Sequence, residues 1–401
     1  MKRRLLFSLL IFVLSLPGPG AIDYGAILQV EFDAAGHDET DISGTVILAP
    51  WLSVPFGTSE LYVSAGLYSG IADESYLAPE LYRLEFSSRF SSLLSIRVGR
   101  INWEDSSGLV AKGNFDGVDV LFDLGQFRLG VNALYTGLLF KDTAKINTSP
   151  ANTKDYSVVF DWSDFAGTYF APARLLASVY GTFPGFPAGR GTLYAGLMGQ
   201  FDFSDTDEAF NTQYLLLHYT LFFNAFNNAF DVDAAAAIEL ENTDADGFRP
   251  AIAFSLEGGW QLPTALADRL SLGIAWASGD GSATGAFFPI TREAQSFVLA
   301  PTLSGILVIR VNYHARIIQS LSTELGCAYF IRTDSTSFQA SYLEDNSYAL
   351  GAELNARLLW VPFSDLAITL NGGVFLPQTG SAWVDDAPTL WRITLGTVFS
   401  F

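Results

Sequence analysis

From residue 23 onward the chain repeats one pattern: about ten residues in which apolar and polar side chains alternate, then a break. In 24–33, Ala26, Leu28, Val30 and Phe32 oppose Gly25, Gln29, Glu31 and Asp33. Leu61, Val63, Ala65 and Leu67 oppose Glu60, Tyr62, Ser64, Gly66 and Tyr68 in the same way. The segments 117–124, 127–136 and 230–241 repeat it. A period of two puts one face of a strand in an apolar medium and the other in a polar one. Ten residues is the length a tilted strand needs to cross a bilayer. The polar faces carry Gly and charge but no Lys in these five segments, unlike the solvent face of a soluble sandwich. The pattern therefore places lipid outside and water inside.

Composition removes the competing classes. Mean hydropathy is +0.27 and charged residues are 16% of the chain, against about 25% in ordinary soluble proteins. Yet beyond the N-terminus no run of about 18 apolar residues exists to make a spanning helix. Eight Trp, 16 Tyr and 33 Phe exclude disorder. The single cysteine, Cys327, excludes a disulfide framework and a multi-cysteine metal site. No cofactor and no metal is called for.

Eighteen alternating segments fit between 23 and 401. Their connections alternate in kind. Short ones include 53–57, Gly125-Gln126, the turn at Asn227-Asn228, 263–268 and 362–365. Mostly longer, polar ones lie at 70–78, 102–115, 139–173, 279–302, 333–346 and 377–388. An even number of antiparallel strands with short turns at one end and long loops at the other describes an outer-membrane barrel. The expectation is an all-β, single transmembrane antiparallel β-barrel of about 18 strands, with 16 as the alternative. Tyr156, Val158, Phe160 and Trp162 also alternate, and parity assigns them to structure within loop 139–173. No linker divides the chain, so 22–401 is expected to be one domain.

Residues 1–21 read as an export signal. Met1-Lys2-Arg3-Arg4 is a positive start, 5–16 an apolar stretch of twelve, and 17–21 a helix-breaking run ending in a small residue. Without that signal 19 basic residues face 42 acidic ones, a net charge of about −23. Such a chain does not seek nucleic acid phosphates. At the other end Trp391, Ile393, Leu395, Phe399 and Phe401 share one face, and the last residue is aromatic. This resembles the C-terminal strand of bacterial outer-membrane β-barrels. The resemblance implies a bacterial outer-membrane location and recognition of Phe401 by the outer-membrane assembly machinery.

Ile96-Arg97-Val98-Gly99-Arg100, followed by Asn114-Phe115-Asp116-Gly117-Val118, resembles the strand–loop–strand of the alginate-export and related porin-like barrels. That family is built on about eighteen strands. The loop between has one basic residue, Lys112, where a polyanion exporter needs many, so the resemblance implies architecture and leaves the substrate open.

Alternation assigns the water-facing charges. The acids are Glu31, Glu60, Glu85, Asp119, Asp123, Asp202, Asp231, Asp233, Glu239, Glu241, Glu257, Glu324 and Glu353. The bases are Arg83, Arg97, Arg128, Arg310, Arg316, Arg332, Arg357 and Arg392. Among them Glu31, Arg83, Glu85, Arg97, Asp119, Asp123, Arg128, Asp231, Asp233, Arg310, Arg316 and Arg392 are the expected pore-lining set. Charge arrayed in a pore sets its ion selectivity, and thirteen acids against eight bases predict a net negative lumen. Arg83 with Arg97, and Arg310 with Arg316, are spaced to form basic ladders. Loop 139–173 is long enough to fold into the mouth as a gate. Trp51, Trp260, Trp276, Trp360 and Trp391 lie near strand ends, where aromatic girdles belong.

Catalysis has little support: the three His, His37, His218 and His314, stand beside no nucleophile. The acidic loops at 205–208 and 242–247 lack the full calcium-binding pattern. The expected function is a channel for passive diffusion of ions and small hydrophilic solutes in the lipid bilayer. The alternatives are a substrate-specific exporter or uptake channel and a closed-lumen adhesin. A homo-oligomer is left open.

Overall fold

The alternating segments become strands because, with no apolar run long enough for a helix, a closed sheet is what can pair every backbone N–H and C=O inside a bilayer. The computed structural model describes residues 22–401 apart from 38, 72–74, 150–151, 153, 188, 204–209, 226–227, 244–246, 282–283, 339, 341–342, 345–346 and 385. Residues 1–21 and the acidic runs at 205–208 and 244–246 thus lie outside the described residues.

Among the described residues eighteen strands form one antiparallel sheet. They are β1 (Asp23–Gly36), β2 (Thr40–Phe56), β3 (Ser59–Ile71), β4 (Tyr76–Arg89), β5 (Leu94–Glu104), β6 (Lys112–Asp123), β7 (Arg128–Tyr135), β8 (Arg174–Pro184) and β9 (Gly191–Asp202). The second half holds β10 (Asn211–Ala225), β11 (Asn228–Thr243), β12 (Gly247–Gln261), β13 (Arg269–Ala277), β14 (Ile306–Ile318), β15 (Leu321–Arg332), β16 (Ala349–Phe363), β17 (Leu366–Leu376) and β18 (Leu390–Ser400). Each strand pairs with the next, and β1 pairs with both β2 and β18, which closes the cylinder. The closure is finished at the terminus, where Phe401 and Ala26 exchange backbone hydrogen bonds of 2.7 and 3.0 Å.

The outward side chains are exposed and apolar, among them Phe32, Leu48, Leu67, Val98, Val131, Leu197, Leu272, Leu325, Leu354 and Ile393. At the short-turn end Phe223, Phe230 and Trp260 stack in a row at 5.6 and 6.2 Å. Trp51 departs from the girdle expectation. Its register opposite Ser64 turns it to the inner face, where it stacks on Tyr62.

Numbered in chain order, the loops at the long-loop end run from L1 (37–39) to L9 (377–389), and three of them shape the interior. L3 is the tip of the β5–β6 hairpin. β4 pairs with β5 only from Leu84↔Arg100 to Arg89↔Ser95, whereas β5 and β6 stay paired up to Glu104↔Lys112. Above Arg100 the hairpin therefore leaves the wall and enters the lumen, and Trp103 packs against Tyr180 of β8. The alternation continues through 101–104, and the backbone pairing of β5 with β6 runs to Glu104↔Lys112, further than the expected loop 102–115 allowed.

The freed edge of β4 is capped by side chains. The carbonyls of Leu77, Pro79, Leu81 and Tyr82 accept hydrogen bonds from Trp162, Tyr169, Arg100 and Asn114. Pro79 offers no N–H of its own, as suits a strand edge. L4 (136–173) supplies the panel, an aromatic cluster of Phe140, Phe160, Phe165, Tyr169 and Phe170 against Tyr68 and Tyr76. It was expected as a gate; its first task is to fill the wall. Its 156–162 stretch forms no strand, and Trp162 opens a 3-10 turn capped by Asp161.

Candidate pore constriction

Register fixes which side chains face inward. Glu353 on β16 accepts the backbone N–H groups of Phe297, Val298 and Leu299 at 2.8–3.0 Å, and Arg392 on β18 lies over the Phe297 ring. Both strands thus point these residues at L7 (278–305), inside the barrel. Followed from strand to strand, the pairing puts all twelve residues of the expected pore-lining set on this inner face.

Three carboxylates hold the inserted loops by their backbones. Asp105, at the root of L3, accepts from the N–H groups of Ser107, Gly108, Val110 and Ala111 and from the Ser107 hydroxyl, at 2.5–3.0 Å. Glu239 on β11 accepts from Phe288 N–H at 2.8 Å and from the Tyr214 hydroxyl. Glu353 is the third. All three are buried, and such charge-assisted bonds are what make a buried carboxylate tolerable. L7 then knits the loops together. The Val110 carbonyl accepts from Ile290 and Thr291, Asn147 of L4 donates to the Ile290 carbonyl, and Thr291 Oγ1 accepts from Lys112. Behind this junction Phe287, Ile290, Val110, Phe115, Leu139 and Ile146 form an apolar core against inward residues such as Leu134, Leu176, Leu216, Phe330 and Phe375. The expectation of a polar, water-filled interior is therefore corrected: at the level of the loops much of the lumen is packed protein.

What stays open is lined by opposed charge. On the β4–β8 wall Arg83 pairs with Glu85 at 2.8 Å and Arg97 with Asp119 at 2.7 Å, and Tyr180 donates to Asp119 at 2.6 Å. Arg128 faces Asp123 at 3.4 Å. A cavity of about 450 Å³ here is lined by Arg89, Arg97, Arg128, Asp119, Tyr180 and Thr182 among others. On the β10–β13 wall His218 meets Asp233 at 2.8 Å, while Arg269 bridges Asp231 at 2.5 Å and Glu257 at 2.8 Å. Gly108 and Leu109 of L3 face that acidic cluster across a second cavity. Arg392 pairs with Asp33 at 2.7 Å, and Glu31 lies two residues along on the same face of β1. Arg310 donates to Gln295 of L7, and Arg316, opposite Ser322, stands exposed near the short-turn end.

No basic ladder forms as expected. Glu85 stands between Arg83 and Arg97, and each arginine is taken by its own acid. Arg310 and Arg316 are six residues apart on one strand, and only Arg310 reaches the constriction. Arg269, Asp105 and Asp33 were not among the expected residues. Arg269 was legible as the polar-face start of Arg269, Ser271 and Gly273, and Asp105-Ser106-Ser107-Gly108 has the composition of a self-bonded turn. Among the described residues no three His, Cys, Asp or Glu side chains gather as a metal site.

The geometry has known counterparts. OpdQ of Pseudomonas aeruginosa superposes with a TM-score of 0.63 at 10% identity, covering 96% of this chain and 99% of that one. The chain has the fold of an outer-membrane porin. OccK11 (OpdR) of the same organism gives 0.61 at 13%, covering 95% and 96%, and OccK2 (OpdF), solved with glucuronate, gives 0.61 at 10%, covering 94% and 98%. No protein-family profile and no curated protein matches the sequence, so the alginate-export likeness rests on 96–118 alone. The likeness to these channels is one of fold, an 18-stranded barrel matched over nearly the whole length of both chains.

Proposed function

We propose that the protein is a passive channel for small hydrophilic solutes and ions, with no enzymatic step, in which L3 and L7 narrow the lumen and the facing charges select what passes. One observation carries this reading: buried carboxylates fix two loops inside a closed barrel, with charge-lined cavities beside them. The pore-lining set then acts in opposed groups. Arg97 and Arg128 with Asp119 and Asp123 stand on one wall; Asp231 and Asp233 stand on the other, and Arg83, Glu85, Glu31, Arg310, Arg316 and Arg392 line the approaches.

The test is single-channel conductance of the refolded barrel in a planar bilayer under a salt gradient. Stepwise conductance with a cation-shifted reversal potential is expected, because acids outnumber bases along the inner face. An anion-shifted potential would transfer control to the arginine-lined cavity. A folded barrel without conductance would overturn the channel reading. A second reading, substrate-selective uptake, is favoured by that same cavity. It makes glucuronate, the ligand of OccK2, a natural solute to try in the same cell. Residues 1–21 act as the removed export signal, and Phe401 as the mark read during outer-membrane insertion.

A further inference from the structure

A third cavity, of about 430 Å³, lies between L7 and the β14–β17 wall. Its volume falls in the range of small-molecule sites, roughly 300–1,000 Å³. Its lining differs from the two charged walls: four carboxamides, Gln295, Asn312, Asn355 and Asn371, converge on it beside Phe297. Gly326 forms the recess. A Cβ there would lie 2.3 Å from Asn355 Oδ1 and 3.1 Å from Asn312 Oδ1, so the missing side chain is what lets both amides lean into the space. The cavity also holds two guanidiniums and one carboxylate, and Arg310 already donates to Gln295 Oε1. Arg357 stands opposite Glu324 in the β15–β16 register, and Arg310 also lines the neighbouring cavity that holds Glu257.

Hydrogen-bonding capacity is left over. Among the described residues no hydrogen bond engages the side chains of Asn312, Asn371 or Glu324, and Asn371 Oδ1 is a buried acceptor without a donor. A carboxamide offers donors and an acceptor together, which matches a hydroxyl and discriminates little by charge. A buried acceptor left unpaired is destabilising, so a ligand that donates to it is favoured.

We propose that this niche is a binding site for a neutral polyhydroxylated solute, a mono- or disaccharide, whose hydroxyls pair with the carboxamides while a C–H face rests on Phe297. It rests on the channel reading only in that the niche opens to the lumen. The test is equilibrium dialysis of radiolabelled maltose against the detergent-refolded barrel, which needs no conductance. Saturable one-site binding is expected. Two variants attack different features: Asn371→Leu removes the acceptor, and Gly326→Val fills the recess. Each should weaken binding at least tenfold while the barrel keeps its heat-modifiable migration on a gel. Absence of saturable maltose binding would overturn the proposal, as would binding indifferent to both variants. Gluconate binding tenfold tighter than maltose would also overturn it, because the guanidiniums would then dominate. A barrel that binds maltose but passes no current keeps the niche and removes the channel.

Discussion

Asp105 folds L3 with a single side chain, since its two oxygens take four backbone N–H groups and one hydroxyl. Asp105→Ala strands those donors, with a cost on the order of 3 kcal/mol to the local structure. The tip then loses its place against L7. The expected outcome is a larger and noisier single-channel conductance with the barrel still folded; an unchanged current would show that L3 does not limit the passage. Arg269 is the opposite kind of residue, a cation that neutralises Asp231 and Glu257. Arg269→Gln should shift the reversal potential further toward cations, by an amount that shrinks as salt screens the exposed acids. Local pattern places Arg269 on a polar strand face and Asp105 in a turn, but it does not single out either role. Each is one more Asp or Arg in an acidic chain, and its partners are 12–38 positions away for Arg269.

At the scale of elements, the strands were legible and the packing between loops was not. Alternation reports two media on two faces, so it finds strands wherever one face meets lipid. It falls silent where both faces are apolar. Leu215-Leu216-Leu217, Ala234–Ala237 and Ile306–Ile309 are consecutive apolar runs in β10, β11 and β14. In a lone strand such runs mean burial on both sides, and here the inner side is buried by L3, L4 and L7. That was the available sign that the upper lumen is filled. The seam between β4 and L4 was not legible, because it is made by Trp162 and Tyr169 reaching carbonyls 85 and 90 residues away. Replacing both, Trp162→Phe with Tyr169→Phe, removes the donors and keeps an aromatic ring at each position. The temperature at which the barrel shifts its gel mobility should fall by several degrees, in line with about 2 kcal/mol from two lost hydrogen bonds. The seam is ornamental if that temperature holds. The Lys141 ammonium, inside L4, donates to the Val158 carbonyl, and burial holds its pKa below the ordinary 10.5. A depressed ammonium disfavours the folded loop while it stays protonated. Protection of L4 from protease should therefore increase as pH rises toward 10.5, and a decrease over that window would contradict the assignment.

For the whole molecule, one cylinder runs from Asp23 to Ser400 and closes on itself, so fold class and chain order followed from counting breaks in a periodic sequence. The loops decide what the cylinder does, and their contacts lie beyond any local pattern. If 1–21 is removed on export, the mature chain begins at Ile22, one residue before β1 enters the sheet. Mass spectrometry of protein taken from outer membranes should give that start, and a start inside β1 would break the β1–β18 closure that the geometry needs.

The unpaired upper stretch of β4 bears on how such a cylinder can be assembled without error. A growing sheet adds strands to any free edge that can exchange hydrogen bonds, its own or a stranger's. Here two edges are free before completion: the terminal one that β18 must find, and the one left behind when the L3 hairpin turns inward. Pro79 makes the second a poor template, and L4 arrives next in the chain to cover it. The nascent protein is thus left with one place where zippering can finish, and that place returns the last strand to the first.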